Sequence, residues 1–513
     1  MISRRDRSFD VYSYCIIALF VIILILRWKW MPTFIDIYYH LLTVLNFYRC
    51  GGIPSISFWE YAPYGRPHLY PPLLHILMLI VFKLNGNILT TARIFELLIF
   101  PFMLCTIFLT IKTVFGCRLA FWSVLIASSM YSFYLSSVDF LPASLAFCLG
   151  LLVFYSLERN RIIAAIIFMA LAFYSHVSIS FFFFLALIIY GLTFRERLLN
   201  IVKITSASLF LYLPLLIHQL RYLSFFDPHK TRENFPFELN ISVYLLAIIG
   251  IFLAIRQKKK FLFFIALVFA GIVFLPLRYR IFSGQGMIGI ILLAALSLEF
   301  FYDKLINKFP KSSPVFRSLA YISLVFFAIF LISPTISIHE SDVKFNLIGS
   351  TYINIIPSQE VRERTNEISI YLPKTFSPVI DVVEDQTNQD ELIASNFEYL
   401  AGFISVFSQR ATTSAMLPEI MPFRDINPFK HAKLIIWLKD PDRLTIEPER
   451  LIEGLDLVKV AETEIFFIYK NPQANFKQKD SQRSIAYGVC IVLLIASLAI
   501  AIFDLCRRTE LKA

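Results

Sequence analysis

The feature that most constrains this chain is a series of long apolar blocks separated by short polar segments. A helix needs about 20 mostly apolar residues to cross the hydrocarbon core of a bilayer. Blocks close to that length recur from near the first residue to near the last. The candidate blocks are 11–29, 71–84, 91–111, 119–137, 141–157, 162–175, 177–193, 201–218, 241–255, 261–277, 284–302, 316–336 and 484–505.

The composition supports an integral membrane protein. The 513 residues are 57% hydrophobic and 17% charged, with a mean hydropathy of +0.67, whereas a soluble chain carries about 25% charged residues. The net charge of +11 does not indicate a nucleic-acid partner, because the basic residues form short clusters between apolar blocks, as they do in membrane topology signals. The seven cysteines are spread singly, which argues against a zinc site or a disulfide framework.

The basic clusters also predict an orientation, since Lys and Arg concentrate in cytoplasmic loops. If the clusters are cytoplasmic, loop 30–70 and segment 337–483 face the outside. An odd number of crossings must then separate loop 30–70 from the basic cluster that begins at Lys112. Block 71–84 is short and begins with two prolines, so we interpret it as a re-entrant or interfacial helix. The sequence thus predicts a multi-pass plasma-membrane protein with about 12–13 membrane helices.

Three parts are predicted along the chain. Residues 1–336 would form a transmembrane module, residues 337–483 an extracytoplasmic α/β domain, and residues 484–513 a final membrane helix with a cytoplasmic tail. The middle part carries most of the acidic residues. Its apolar runs predict strands at 391–395, 433–438, 457–460 and 465–469 and helices at 358–371 and 397–408.

The first outward loop, residues 30–70, holds the most informative side chains. Asp36 follows the first apolar block by a few residues, so its carboxylate would lie at the membrane surface beside a lipid headgroup. There it could act as a general base for an acceptor hydroxyl or hold a divalent cation. His40 follows four residues later and shares the face of Asp36 if this stretch is helical. Taken alone, each residue is more often a solvated surface group or a helix cap.

The whole loop pattern resembles the GT-C superfamily of membrane glycosyltransferases. Its start Asp36–Leu41, the later Tyr64–Pro67 and the exit Tyr70–Leu73 look like the first external loop of the oligosaccharyltransferase catalytic subunit, especially its archaeal forms. The resemblance implies a GT-C-like fold, a polyprenyl-phosphate-linked sugar as donor and a catalytic role for Asp36. The Trp-Trp-Asp-Tyr-Gly motif of oligosaccharyltransferases is absent, so a glycan, a lipid and a protein all remain open as acceptors.

Four more candidates lie at predicted outward ends of spans. Asp139 occupies a short turn where the resemblance places an acidic residue, and Asp36 and Asp139 could share a divalent cation such as Mg²⁺ or Mn²⁺. The alternative for Asp139 is an N-cap of the next helix. Arg278 and Arg280 begin a span, where a guanidinium suits a phosphate, although headgroup snorkelling is common there. His176 also resembles a substrate-binding position, with a polar helix-end residue as the alternative.

Together these features predict an inverting glycosyltransferase that moves a sugar from a polyprenyl-phosphate-linked donor to an acceptor on the extracytoplasmic side. The sequence contains no Walker loop and no GxGxxG motif, and its large domain is predicted to face outward, which favours a lipid-linked donor over a nucleotide sugar. A close variant would move a whole glycan, as oligosaccharyltransferases do. A non-catalytic transporter of lipid-linked glycans is the alternative of another class. A transporter should carry polar residues at mid-span, whereas nearly all charges here lie at span ends.

Overall fold

The computed structural model describes residues 4–31, 36–227, 237–257, 261–308, 314–330, 335–339, 342–346, 350–355, 373–417, 419–424, 427–439 and 452–506. The helices of the first two thirds are α1 (Arg4–Leu26), α2 (Asp36–Cys50), α3 (Leu73–Asn85), α4 (Ile88–Phe115), α5 (Cys117–Ser129), α6 (Tyr131–Asp139), α7 (Leu141–Glu158), α8 (Ile162–Phe173), α9 (Val177–Thr193), α10 (Arg195–Arg221), α11 (Ile241–Gln257), α12 (Leu262–Ala270), α13 (Arg278–Phe282), α14 (Ile288–Lys308) and α15 (Pro314–Phe330).

The helices confirm a polytopic α-helical membrane protein. Within the described ranges, five helical segments are long and apolar enough to cross a membrane, by length and composition: most of α1, the whole of α4, α7 and α10, and the segment Arg278–Leu305, which includes α13 and most of α14. Shorter apolar helices pack between them. Large apolar side chains remain on the outer surface; Phe252 is 62% exposed and Phe503 is 72% exposed. Such a surface suits contact with lipid tails.

Both termini of helix α3 lie on the side of the transmembrane module that holds loop 30–70. Its neighbour α4 runs antiparallel to α1, because Lys112 pairs with Asp10 at 2.8 Å at one end and the Arg93 Nε donates to the Met31 carbonyl at 2.9 Å at the other. The start of α4 therefore lies beside loop 30–70, from which α3 departs. This path supports the interpretation of block 71–84 as a helix that does not cross the bilayer.

Small residues allow the closest helix contacts. Helices α11 and α14 pack against each other along their lengths, and a Cβ atom at Gly250 would lie only 2.1 Å from the carbonyl oxygen of Leu293. In a bilayer the hydrophobic effect does not drive helices together, so close backbone approach at a small residue is a main source of packing energy. Any larger side chain at Gly250 would force the two helices apart.

The remaining helices are α16 (Thr351–Asn354), α17 (Pro373–Gln386), α18 (Glu398–Ser408), α19 (Pro428–His431) and α20 (Ile485–Cys506). The strands are β1 (Pro54–Ser57), β2 (Arg66–Pro67), β3 (Phe237–Asn240), β4 (Thr335–His339), β5 (Asp342–Asn346), β6 (Ile393–Ser395), β7 (Leu434–Leu438), β8 (Val458–Glu462), β9 (Phe466–Lys470) and β10 (Gln482–Arg483).

The domain predicted at residues 337–483, which we call the outer domain, is built on a four-stranded sheet of order β6-β7-β9-β8. β6 and β7 are parallel, whereas β9 is antiparallel to both β7 and β8. These strands and α18 lie where the sequence predicts strands and a helix, with ends shifted by one to two residues. The helix predicted at 358–371 lies outside the described residues.

Two small sheets join distant parts of the chain and could not be read from the sequence. Strand β4 pairs with both β5 and β3. The segment that begins at Thr335 therefore forms a sheet with the strand that precedes α11. Strand β1 pairs with β2 on one side and with β10 on the other. The segment that returns the chain to its last helix is therefore joined to the first loop.

Candidate functional site

Helix α2 presents the two first-loop candidates. Asp36 is its first residue and is partly exposed, whereas His40, one turn later, is 4% exposed. The backbone N–H groups at a helix N-terminus favour a negative charge, so this position stabilises an ionised Asp36. Both side chains line one cavity, as expected for residues four apart on a helix.

This cavity lies between the first loop, the ends of several helices on the side of that loop, and the domain predicted at residues 337–483. Its empty volume is about 880 Å³, including the part that is open to solvent. The lining residues come from all three regions. They are Asp36, Tyr39, His40, Tyr70, Phe140, Pro142, His176, Leu277, Tyr279, Arg280, Tyr399, Leu417 and Glu419.

Arg280 is the cationic group of the cavity lining. It is 7% exposed, its Nε donates to the Tyr279 hydroxyl at 2.9 Å, and its guanidinium lies 5.3 Å from the ring centroid of Phe140. In the part of the chain that the structure describes, its Nη1 atom is buried without a hydrogen-bond partner. A buried donor left unpaired costs about 1–3 kcal/mol, or more when it is charged. An anionic ligand in the cavity would remove this cost.

Arg278 occupies a different position. It is exposed and does not line the cavity, although it belongs to the same short helix α13. The two arginines that the sequence offered as alternatives are therefore separated by the structure, and only Arg280 shares a cavity with Asp36.

The loop that follows α13 fixes the backbone of Arg280. A Cβ atom at Gly286 would lie 2.7 Å from the Arg280 carbonyl oxygen, so the loop packs directly onto this residue. The Gln285 side chain donates to the Ser136 carbonyl at 3.0 Å. This contact ties the segment after Arg280 to the last turns of α6.

His40 is held by a second histidine behind the cavity wall. Its Nδ1 lies 3.0 Å from the Nε2 of His75, so one ring donates and the other accepts. Burial lowers the pKa of His40 to about 3, and its ring is therefore neutral at physiological pH. A neutral ring can hydrogen-bond a substrate but cannot neutralise a phosphate, which leaves that role to Arg280.

His176 combines a capping contact with a place in the cavity lining. The N–H of Ile179 donates to its Nδ1 at 3.4 Å, so it caps α9. Its ring centroid lies 6.5 Å from that of Tyr70, another lining residue. The polar helix-end role and the cavity position are thus both realised.

Asp139 ends α6 and does not line the cavity. The capping alternative for it is wrong, because the residue at the N-cap of α7 is Phe140 and no side-chain capping bond is present there. Asp139 interacts electrostatically with Asp36 and Glu96. Among the described residues, however, no group of three or more His, Cys, Asp or Glu side chains is arranged to hold a metal ion. A cation shared by Asp36 and Asp139 alone stays a prediction.

Sequence reasoning missed the contribution of the outer domain to this cavity. Leu417 and Glu419 line it, yet nothing in their sequence context marks them, because their position depends on contacts with residues more than 350 positions earlier. Glu60 lies in the first loop, yet it is only 4% exposed. No local pattern signals these residues.

Comparisons with known proteins give matches only at the level of structure. No family model and no curated protein sequence matches the chain. The fold is similar to the archaeal oligosaccharyltransferase AglB from Archaeoglobus fulgidus, solved with an inhibitory peptide and a dolichol-phosphate, at a TM-score of 0.53 and 11% identity over 90% of this chain and 74% of AglB.

Two further structures give similar values. ArnT from Cupriavidus metallidurans, bound to undecaprenyl phosphate, matches at a TM-score of 0.53 and 13% identity, covering 89% of this chain and 98% of ArnT. The arabinofuranosyltransferase AftD from Mycobacteria matches at a TM-score of 0.52 and 13% identity, covering 92% of this chain and 40% of AftD. At such low identity these matches establish the fold alone. The chain therefore has the GT-C-like fold of these membrane glycosyltransferases.

Proposed function

We propose that this protein is a glycosyltransferase that moves a sugar from a polyprenyl-phosphate-linked donor to an acceptor on the extracytoplasmic side of the membrane. One observation carries the proposal: Arg280 and Asp36 line the same cavity, and a buried guanidinium nitrogen of Arg280 lacks a hydrogen-bond partner among the described residues. Two proteins of the same fold, ArnT and AglB, were solved with a polyprenyl phosphate or a dolichol-phosphate. A phosphate is the anion that best suits a fixed guanidinium.

The proposed reaction uses one acid–base group and one anchor. Asp36 accepts the proton of an acceptor hydroxyl as the hydroxyl oxygen attacks the anomeric carbon of the donor sugar. The bond between that carbon and the phosphate oxygen breaks, and its electron pair stays with the phosphate. Arg280 stabilises the charge that develops on the departing phosphate. Attack from the side opposite the phosphate inverts the configuration of the anomeric carbon.

Other side chains would orient the substrate. His40 and His176 line the same cavity, and we propose that they hydrogen-bond the donor sugar or its phosphate. We also propose that a divalent cation such as Mg²⁺ or Mn²⁺, when bound, would be held by Asp36 and Asp139, where it would neutralise charge on the phosphate.

The test is a transfer assay with the full chain in lipid nanodiscs, supplied with a panel of radiolabelled undecaprenyl-phosphate and dolichyl-phosphate sugars. We expect Asp36→Asn to reduce transfer at least about a hundredfold, as loss of a general base does, with unchanged expression and thermal unfolding. Full activity of Asp36→Asn would contradict the catalytic assignment. Movement of intact donor across the bilayer without bond cleavage would favour the transporter.

A further inference from the structure

The outer domain forms one wall of the candidate active site. Tyr399, Leu417 and Glu419 line the cavity together with Asp36 and Arg280. Glu419 thus brings a second carboxylate to a cavity whose first carboxylate comes from α2. Tyr39 and Tyr70 from the first-loop side line the same cavity. The wall that carries Glu419 and the first loop therefore border the same space.

A buried ion pair in the first loop fixes the segment that carries Glu419. The Arg66 Nη2 lies 2.6 Å from the Glu60 Oε2, and the two side chains are 3% and 5% exposed. The other Glu60 oxygen accepts from the N–H of Met416 at 2.9 Å. The Arg66 Nη1 donates to the Leu417 carbonyl at 2.5 Å and to the Ile420 carbonyl at 3.3 Å. The ion pair thus hydrogen-bonds the backbone of the outer domain both before and after Glu419 in the chain.

The loop after α10 holds the same segment from another side. The N–H of Asp227 donates to the Glu419 carbonyl at 2.8 Å, and the N–H of Met421 donates to the Phe225 carbonyl at 2.8 Å. Phe226 and Ile420 form an antiparallel bridge. The ion pair and the loop after α10 together fix the backbone around Glu419. A side chain that positions a substrate needs such support from its surroundings.

The donor and the acceptor must enter the cavity from different directions. A polyprenyl chain must stay in the bilayer, so a donor phosphate on Arg280 extends from the membrane helices. The acceptor must then approach Asp36 from the remaining side, where the outer-domain wall lies. A carboxylate is an acceptor of hydrogen bonds only, and tyrosine side chains offer both an apolar ring and a hydroxyl. Together, these groups suit a polyhydroxylated sugar.

We propose that Glu419 and the wall that carries it form the acceptor subsite, and that Glu419 positions a hydroxyl-bearing sugar for attack. Glu419 accepts a hydrogen bond from a hydroxyl of the acceptor other than the one that Asp36 deprotonates. It is a positioning residue, and the ion pair of Glu60 and Arg66 keeps it in place. This inference rests on the proposed function.

The test compares Glu419→Gln with the wild-type chain in nanodiscs, using the best radiolabelled donor from the panel and p-nitrophenyl glycosides as acceptor probes. Glutamine replaces the carboxylate with a neutral amide and so weakens the hydrogen bond to the acceptor hydroxyl, and the acceptor KM should rise about tenfold. The donor KM should stay within about twofold. Glu464→Gln, on an exposed part of the outer domain, is the matched control and should change neither constant.

Each outcome has a distinct meaning. An unchanged acceptor KM in Glu419→Gln, or a rise in the donor KM alone, would overturn the acceptor subsite while transfer by the wild-type chain still supports the proposed function. Absence of transfer by the wild-type chain with every donor would overturn both. Equilibrium binding of undecaprenyl phosphate, which should be retained in Glu419→Gln, shows that this variant is folded.

Discussion

At the scale of single residues, the proposed chemistry depends on a buried cation, Arg280, which has one nitrogen without a hydrogen-bond partner among the described residues. The ring of Tyr279 and the ring of Phe140 enclose the Arg280 guanidinium, and Tyr279 binds one of its nitrogens. Burial removes water from the charge, which strengthens its interaction with any anion that enters. This environment distinguishes Arg280 from Arg278, which is exposed.

The two arginines provide a matched pair of variants. Arg280→Lys should weaken binding of undecaprenyl phosphate at least about tenfold, because lysine keeps the charge but cannot form two parallel hydrogen bonds to phosphate. Arg278→Lys should change binding by less than about twofold. Equilibrium binding of radiolabelled undecaprenyl phosphate to the protein in nanodiscs measures both. A larger effect at Arg278 would show that the exposed residue is the anchor.

The residues of the site differ in how far the sequence predicts them. Asp36 and His40 could be grouped because helical periodicity brings positions four apart onto one face. Arg278 and Arg280 could be proposed because a guanidinium at a span boundary suits a phosphate, but the sequence did not distinguish between them. Glu419 could not, since its place in the cavity depends on tertiary contacts with Glu60 and Arg66 that no local pattern encodes.

At the scale of elements, the first loop and the outer domain are joined through a desolvated ion pair. Burying two charges is expensive, and a buried pair adds little stability compared with apolar residues. Removing one partner of a buried pair is nevertheless strongly destabilising, because the other charge stays buried without a counter-charge. The pair of Glu60 and Arg66 therefore fixes geometry more than it adds free energy.

Removing one partner should thus destabilise the protein strongly. Glu60→Gln is expected to lower the free energy of unfolding by about 3–5 kcal/mol, because Arg66 would remain buried without a counter-charge. The double variant Glu60→Gln/Arg66→Met should be less destabilised than the sum of its single variants. Denaturant unfolding in detergent micelles, followed by tryptophan fluorescence, measures these differences.

An exposed ion pair of the outer domain serves as the control. Glu462 pairs with Lys439 and Lys459 at 2.7 Å, with its side chain 44% exposed. Glu462→Gln should change the unfolding free energy little, because solvent screens exposed pairs. Equal destabilisation by Glu60→Gln and Glu462→Gln would contradict a clamping role for the buried pair.

Element boundaries show where sequence reasoning stops. The apolar blocks predict helices because the bilayer imposes a minimum apolar length. The predicted span 119–137 is divided at Met130 into α5 and α6. Apolar residues continue on both sides of Met130, so the sequence does not indicate the break. The pairing of β3 with β4 joins segments about a hundred residues apart, and such pairings are not specified by either segment alone.

At the scale of the whole molecule, interhelical ion pairs group the basic clusters. Lys112 pairs with Asp10, and Arg118 pairs with Asp303. These exposed or half-buried pairs add little stability, but they bring the beginning of α1, the end of α4 and the end of α14 to one end of the module. The cavity lies at the opposite end, beside loop 30–70.

This arrangement predicts the labelling pattern of the protein in cells. In a background without native cysteines, Glu453→Cys in the outer domain should react with a membrane-impermeant maleimide in intact cells. Lys304→Cys, at the opposite end, should react only after the membrane is permeabilised, because the cluster that contains it is predicted to be cytoplasmic. Mass-tag gel shifts measure both reactions. The reverse pattern would place the cavity in the cytoplasm.

The small sheet in which β10 pairs with β1 has a consequence for biogenesis. Strand β1 leaves the ribosome early, but its partner β10 is made more than 400 residues later. The wall that holds Glu419 is also synthesised late. If the proposed function holds, we therefore expect a nascent chain to transfer no lipid-linked sugar until the residues up to β10 have been synthesised, because the sheet that joins β10 to the first loop is incomplete before then.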